Sequence, residues 1–272
     1  MVLEQARDGH LLPTTQFGLP AFELYRPDSL DDLRTVCAEA PRPLMLYAGG
    51  TDAFAALREG RAVASLVRLD RIEELRGAVV ADGVLTLGAG LTHFEAMNDP
   101  ALAEVPGLAE AWARIATVRV RRHATLGGNL MARRPRYELS ILLSALGATA
   151  RLVGASGERE VPVEAIWDLP DDEPALLVSV AVPLSGAPRL DYARDLRPVM
   201  TQALCRRDGA AMRLAVGTER LRPHLIDWTG ERDAAEILAG LPEEFEEPGA
   251  GRGWMVRAGA ALLERQLERM AA

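Results

Sequence analysis

The sequence predicts an α+β protein in two parts, a larger one framed by two glycine turns and a smaller one beginning near residue 170. Three observations carry this reading. The apolar run at residues 44–48 meets Gly49-Gly50 and then a helical pattern, giving strand, glycine turn and helix in succession. A second pair, Gly127-Gly128, precedes a basic stretch and an apolar segment at 139–148. Beyond residue 150, strand candidates at 150–152, 176–182, 201–205 and 211–216 lead to an amphipathic pattern at 254–270, where alternating charge marks a final surface helix.

Residues 1–20 mix polar residues, glycines and prolines and are expected to form an arm rather than a packed element. Residues 22–27 alternate as a short strand. Residues 28–33, Asp-Ser-Leu-Asp-Asp-Leu, then supply an N-cap and an acidic first turn for a helix reaching about Ala40. Residues 64–69 read as a buried strand, and 77–89 as a hairpin turning at Asp82-Gly83, a pair suited to positive φ. Thr92 is placed to cap a helix at 93–97, and 108–116 has the apolar spacing of a helix facing a core. The acidic, proline-rich stretch 168–174 separates the two parts. The Gly/Pro-rich stretch 242–253 reads as a surface loop. The divisions expected are therefore 1–20, 21–170 and 171–272.

A chain of 272 residues with 49% hydrophobic content buries a substantial core. Its formal charge of −8 comes from mixed acids and bases, which argues against a nucleic-acid partner. Cys37 and Cys205 stand far apart without a CxxC pair, and His10, His93, His123 and His224 lack ligand spacing, so neither an iron–sulfur cluster nor a metal site is expected here. No disulfide is expected. The acidic N-terminus, with Glu4 and Asp8, does not resemble a leader, and no apolar run approaches the roughly 20 residues of a membrane span. A cytoplasmic protein is expected.

A glycine pair after a strand lets backbone approach a ligand closely, because no Cβ intervenes and positive φ costs little. Successive N–H groups there suit a pyrophosphate, with Thr51 and Asn129 adding side-chain hydrogen bonds beside the two turns. Two such turns could clamp an extended dinucleotide from both sides, although either alone is an ordinary tight turn. No GxGxxG within a βαβ unit and no GxxxxGK[ST] are present, which removes the Rossmann and P-loop alternatives.

Four ordered blocks carry a family resemblance: Ala48-Gly49-Gly50-Thr51-Asp52 with the helix after it, residues 66–77, residues 87–93, and residues 119–130, which include Ala124-Thr125-Leu126-Gly127-Gly128-Asn129. From Phe22 to about Leu152 the chain resembles the FAD subunit of molybdenum hydroxylases of the xanthine dehydrogenase and carbon monoxide dehydrogenase type. The resemblance implies a PCMH or vanillyl-alcohol-oxidase type fold, with two α+β subdomains holding non-covalent FAD and a smaller C-terminal α+β domain. It makes Ala48, Gly49, Gly50, Thr51 and Asp52 the first pyrophosphate loop, and Thr125, Gly127, Gly128 and Asn129 the second. It places Met131 near the isoalloxazine ring and Glu138 where the family has an aspartate beside ribose or ribityl hydroxyls. The implied partners are a large molybdenum-cofactor subunit and a small [2Fe-2S] subunit, which would pass electrons to FAD and on to an acceptor.

Departures gather near the flavin. Arg133, Arg134 and Arg136 replace the family's small residues. Arg134 is expected at a phosphate or at an acidic partner surface, against the plainer reading of a solvated basic turn. The loop at 161–172 is trimmed, and 194–201 matches the family's arginine-rich stretch only loosely. Two alternatives stay open: a stand-alone flavoprotein oxidase or dehydrogenase, and a family member that has lost FAD and serves a structural or binding role.

Overall fold

The computed structural model describes residues 21–154, 157–170, 175–194, 199–246 and 251–271. The expected arm at 1–20 lies outside them, as do 171–174 of the separating stretch, 195–198 of the loosely matched stretch and 247–250 of the surface loop. In chain order the elements are β1 (Glu23–Tyr25), α1 (Leu30–Glu39), β2 (Leu44–Tyr47), α2 (Ala53–Arg58), β3 (Ser65–Arg68), β4 (Ala78–Ala81), β5 (Val84–Gly88), α3 (His93–Asn98), α4 (Leu108–Ala113), α5 (Val118–Arg121), α6 (Leu126–Met131) and α7 (Leu139–Ala145). There follow β6 (Thr149–Gly154), β7 (Gly157–Pro162), β8 (Leu176–Pro183), β9 (Arg189–Arg194), β10 (Met200–Arg206), β11 (Met212–Thr218), β12 (His224–Trp228), α8 (Ala234–Ala239) and α9 (Arg252–Ala271).

The strands form three sheets. A parallel three-stranded sheet runs β1-β3-β2, a five-stranded antiparallel sheet runs β4-β5-β8-β6-β7, and a four-stranded antiparallel sheet runs β12-β11-β10-β9. Local chemistry sets several boundaries. Ser29 Oγ accepts from the Asp32 amide to start α1, and Thr92 with Glu95 forms a reciprocal capping box on α3. Asp82 and Gly83 both take positive φ, 50° and 74°, which turns β4 into β5 with the strands' own twist.

The C-terminal sheet is buried on both faces, as its period-two pattern requires. Ala203 and Cys205 of β10 join the main core, against which the fully buried α7 also packs, whereas Met200 and Leu204 face a second core with α8 and α9. The boundary expected near residue 170 is displaced by the topology. β8 is the central strand of the five-stranded sheet, hydrogen-bonded to β5 and β6, so the chain enters the C-terminal sheet only after Pro183. The stretch after β7 contains a 3-10 turn, Val163–Asp168, held by buried Val163 and Ile166.

Candidate functional site

A cavity of about 1040 Å³ opens where β2 ends, bounded by the α5–α6 segment, residues 131–134 and 136–138, Leu169, Pro170 and two residues of the C-terminal part, Arg194 and Glu219. The fold brings together most of the residues singled out in the sequence. Ala48, Gly49, Gly50, Thr51 and Asp52 line one wall. Thr125, Gly128 and Asn129 line another, with Met131, Arg134 and Glu138 beside them. Gly127 is not part of the lining: a Cβ there would lie 2.9 Å from the Ala89 methyl, so this glycine serves close packing against the end of β5.

The first loop is shaped by two glycines. Gly50 has φ +76°, and a Cβ there would stand 2.5 Å from the Phe54 ring, which meets Tyr47 edge-on at 5.4 Å. A Cβ on Gly49 would overlap the His123 carbonyl oxygen, so the two loops touch through backbone alone. The amides of Gly49, Gly50, Thr51 and Asp52 have no acceptor among the described residues. Open donors remain on this wall.

The second loop differs from the expected backbone nest. Thr125 caps α6, its Oγ1 accepting from the Gly128 amide at 3.1 Å. The Leu126 and Gly127 amides donate to Leu91 and Ala89 carbonyls at 2.8 Å, and the Asn129 amide donates to Thr125 at 2.9 Å. Every N–H from 126 to 129 is therefore occupied, because the segment is stitched to the chain between β5 and α3. What it offers the cavity is the Asn129 side chain, whose Oδ1 is buried without a hydrogen-bond partner.

The charged residues are also more committed than expected. Arg134 Nε lies 2.7 Å from Asp52 Oδ1, so its charge is balanced within the chain rather than presented alone. Tyr137 donates to the same oxygen at 3.0 Å; burial, then the Asp52 charge, raises its pKa. Arg133 takes φ +48° and donates to the Leu169 carbonyl at 2.6 Å. Glu138 is buried and accepts from Tyr192 Oη and, at 3.2 Å, from Arg194 Nη1, both on β9. Through Oε1 its carboxylate joins the two parts of the chain, while the side chain still lines the cavity. Burial and Glu138 together push the Tyr192 phenol well above its ordinary pKa. Met131 is half-buried, packing on the main core.

The sequence singles out His93 only as one of four histidines without ligand spacing. It is fully buried at the cavity wall, where its Nδ1 receives the Trp112 indole N–H at 2.8 Å and its Nε2 lies 3.4 Å from the Asn129 carboxamide. Burial, followed by the Arg121 charge, lowers its pKa to about 4. Arg121 itself donates to the carbonyls of Ala113, Ile115 and Ala116, holding the turn into α5, where Ala116 has φ +56°.

The family model described as FAD binding domain in molybdopterin dehydrogenase matches residues 20–185. The chain belongs to this family. As a member of the molybdopterin dehydrogenase FAD-binding family, it is 29% identical over 150 residues to the carbon monoxide dehydrogenase medium chain of Hydrogenophaga pseudoflava, a match covering 54% of this chain and 52% of that one. It thus spans about half the length of that relative. It is 28% identical to the putative xanthine dehydrogenase FAD-binding subunit of Escherichia coli, over 73% of this chain and 74% of the other. The fold resembles a chain of reconstituted carbon monoxide dehydrogenase from Oligotropha carboxidovorans, with TM-score 0.81, 19% identity, and coverage of 93% of this chain and 98% of that one. The family's α+β PCMH-type fold is the one observed.

FAD, the group this family binds, fits what the site offers. At about 1040 Å³ the cavity lies just above the roughly 300–1,000 Å³ of ordinary ligand sites, which leaves room for a large ligand. The first loop has amides to give, and the buried Asn129 carboxamide is unsatisfied on one side. Among the described residues no group of three or more His, Cys, Asp or Glu side chains is placed to hold a metal ion, and no helix is long and apolar enough to cross a membrane. Cys37 and Cys205 are free thiols, each with its pKa raised by burial.

Proposed function

We propose that the chain is the FAD-binding, electron-transferring subunit of a molybdenum hydroxylase complex, working with a large molybdenum-cofactor subunit and a small [2Fe-2S] subunit. The observation that carries this reading is one cavity walled by both glycine segments, with unpaired backbone donors on one side only. The amides of Gly49, Gly50, Thr51 and Asp52 take the pyrophosphate, whose charge suits converging N–H dipoles. Thr125 and Gly128 set the opposite wall and Asn129 adds a polar contact. Gly127 acts indirectly, by letting that wall sit close to β5. Met131 supplies a polarisable apolar contact to the ring.

Arg134 and Asp52 act as a pair that shapes the loop, and Glu138 holds the C-terminal part over the cavity through Tyr192 and Arg194. This topology supports a division into an FAD-binding unit at 21–183 and a covering unit after it. Bound flavin supplies the redox chemistry between iron–sulfur clusters and an acceptor, while this chain binds, orients and shields it. The medium-chain and FAD-subunit descriptions of the relatives support the partner assignment. Titration of flavin-free protein with FAD, read by flavin fluorescence, is expected to saturate at one FAD per chain. Affinity purification from the native host is expected to bring down a molybdenum subunit and an iron–sulfur subunit. Saturable FAD binding without such partners would favour a free-standing flavoprotein, and no binding would remove the reading.

A further inference from the structure

Three buried or half-buried groups stand in line from the core to the cavity wall: the Trp112 indole on α4, then, lining the cavity, the His93 imidazole on α3 and the Asn129 carboxamide on α6. An indole nitrogen only donates, so the 2.8 Å contact makes His93 Nδ1 an acceptor and leaves no room for a proton there. The neutral ring then carries its proton on Nε2. An Nε2–H group cannot face an amide NH2, so the Asn129 oxygen turns toward His93 across the 3.4 Å contact. The Asn129 NH2 group is left in the buried position that has no partner among the described residues. A buried donor without an acceptor is destabilising, and a ligand oxygen can satisfy it.

We propose that Trp112 and His93 form a positioning pair that fixes the Asn129 carboxamide with its oxygen on His93 and its NH2 group free for an acceptor oxygen of bound FAD. This rests on the FAD reading above. His93 is assigned as a positioning residue that acts through Asn129. The depressed basicity of His93 agrees with a ring that stays neutral and keeps one tautomer.

The tautomer is read directly in the unaltered protein. With only four histidines in the chain, 15N-histidine labelling and long-range 1H–15N correlation resolve each ring, and a His93→Gln difference spectrum assigns the signal. The result expected is an unprotonated Nδ1 and a protonated Nε2; an Nδ1–H tautomer, or a mixture, overturns the proposal. Function is read in a cycle of variants. Asn129→Asp still accepts from His93 but offers no donor, so FAD binding is expected to weaken about tenfold. Trp112→Phe releases the tautomer and is expected to weaken binding several-fold in the natural background and not at all in the Asn129→Asp background. Equal loss in both backgrounds would mean that Trp112 acts only through packing, against the proposal. An unaltered protein that takes up no FAD would overturn the cofactor reading itself, whichever tautomer the spectrum shows.

Discussion

Asp52 Oδ1 accepts from Arg134 Nε at 2.7 Å, tying the end of the first glycine loop to the segment that follows the second. The two segments are 82 residues apart in sequence and also meet where Gly49 abuts the His123 carbonyl. The cavity wall is therefore one continuous structure, and changes on either side should be felt on the other.

Arg134→Ala leaves the Asp52 carboxylate without its cation beside the proposed phosphate site. FAD affinity is expected to fall about tenfold, as for loss of a charge-assisted contact, while stability changes by less than about 1 kcal/mol because both groups are a third exposed. Adding Asp52→Asn should restore part of the loss. Fluorescence titration checks both variants, and an unchanged dissociation constant in Arg134→Ala would show that the pair has no bearing on the ligand.

Gly50 and Gly128 look alike in sequence but should respond differently. Gly50→Val forces a branched side chain into positive φ and into the Phe54 ring, so FAD binding should be abolished, with roughly 1–3 kcal/mol or more lost in stability. A Cβ at Gly128 meets only Thr125 Oγ1, at 3.1 Å, in ordinary helical backbone. Gly128→Ala should melt close to the natural protein and keep measurable FAD. Thermal melts with flavin quantification separate the two, and equal damage at both sites would contradict the asymmetry between the walls.

Much of this organisation is legible in the sequence because it is local. The Asp82-Gly83 turn, the Ser29 and Thr92 caps and the strand running into Gly49 each depend on a few neighbouring residues. β8 is readable as a strand, but nothing local tells that it returns to lie between β5 and β6. β7, β9 and β12 escape because they are sheet edges with polar or mixed sequences. The second loop resembles the first as a string of letters; only the hydrogen bonds to Ala89 and Leu91 reveal that its amides are taken. Glu138 with Tyr192, and His93 with Trp112, join residues 54 and 19 positions apart, for which no periodicity exists.

Stability should depend on pH through His93. An ordinary histidine titrates near 6.5, whereas burial and then Arg121 hold folded His93 near 4. Between those values the unfolded chain binds the additional proton, so this contribution is complete above about pH 6.5 and is lost as the pH falls toward 4. The gap corresponds to roughly 3 kcal/mol at most. Urea midpoints measured from pH 7 to pH 4.5 should fall, and His93→Gln should flatten the slope; parallel curves would assign the acid sensitivity to other groups.

Tyr192→Phe should loosen the covering part of the chain. Glu138 would keep Arg194 but lose a buried hydrogen bond, at a cost of about 1–3 kcal/mol. Hydrogen exchange in β9 should accelerate, and FAD should dissociate faster. Unchanged exchange and unchanged FAD dissociation would show that Glu138 does not hold the two parts together.

The central claim is that this cavity holds FAD without a covalent bond, and the visible absorption spectrum of the purified protein before and after acid precipitation tests it most directly. Flavin bands at about one FAD per chain, moving entirely into the supernatant on precipitation, are the result expected. A protein that stays colourless after incubation with excess FAD, or colour that remains in the precipitate, would contradict the account.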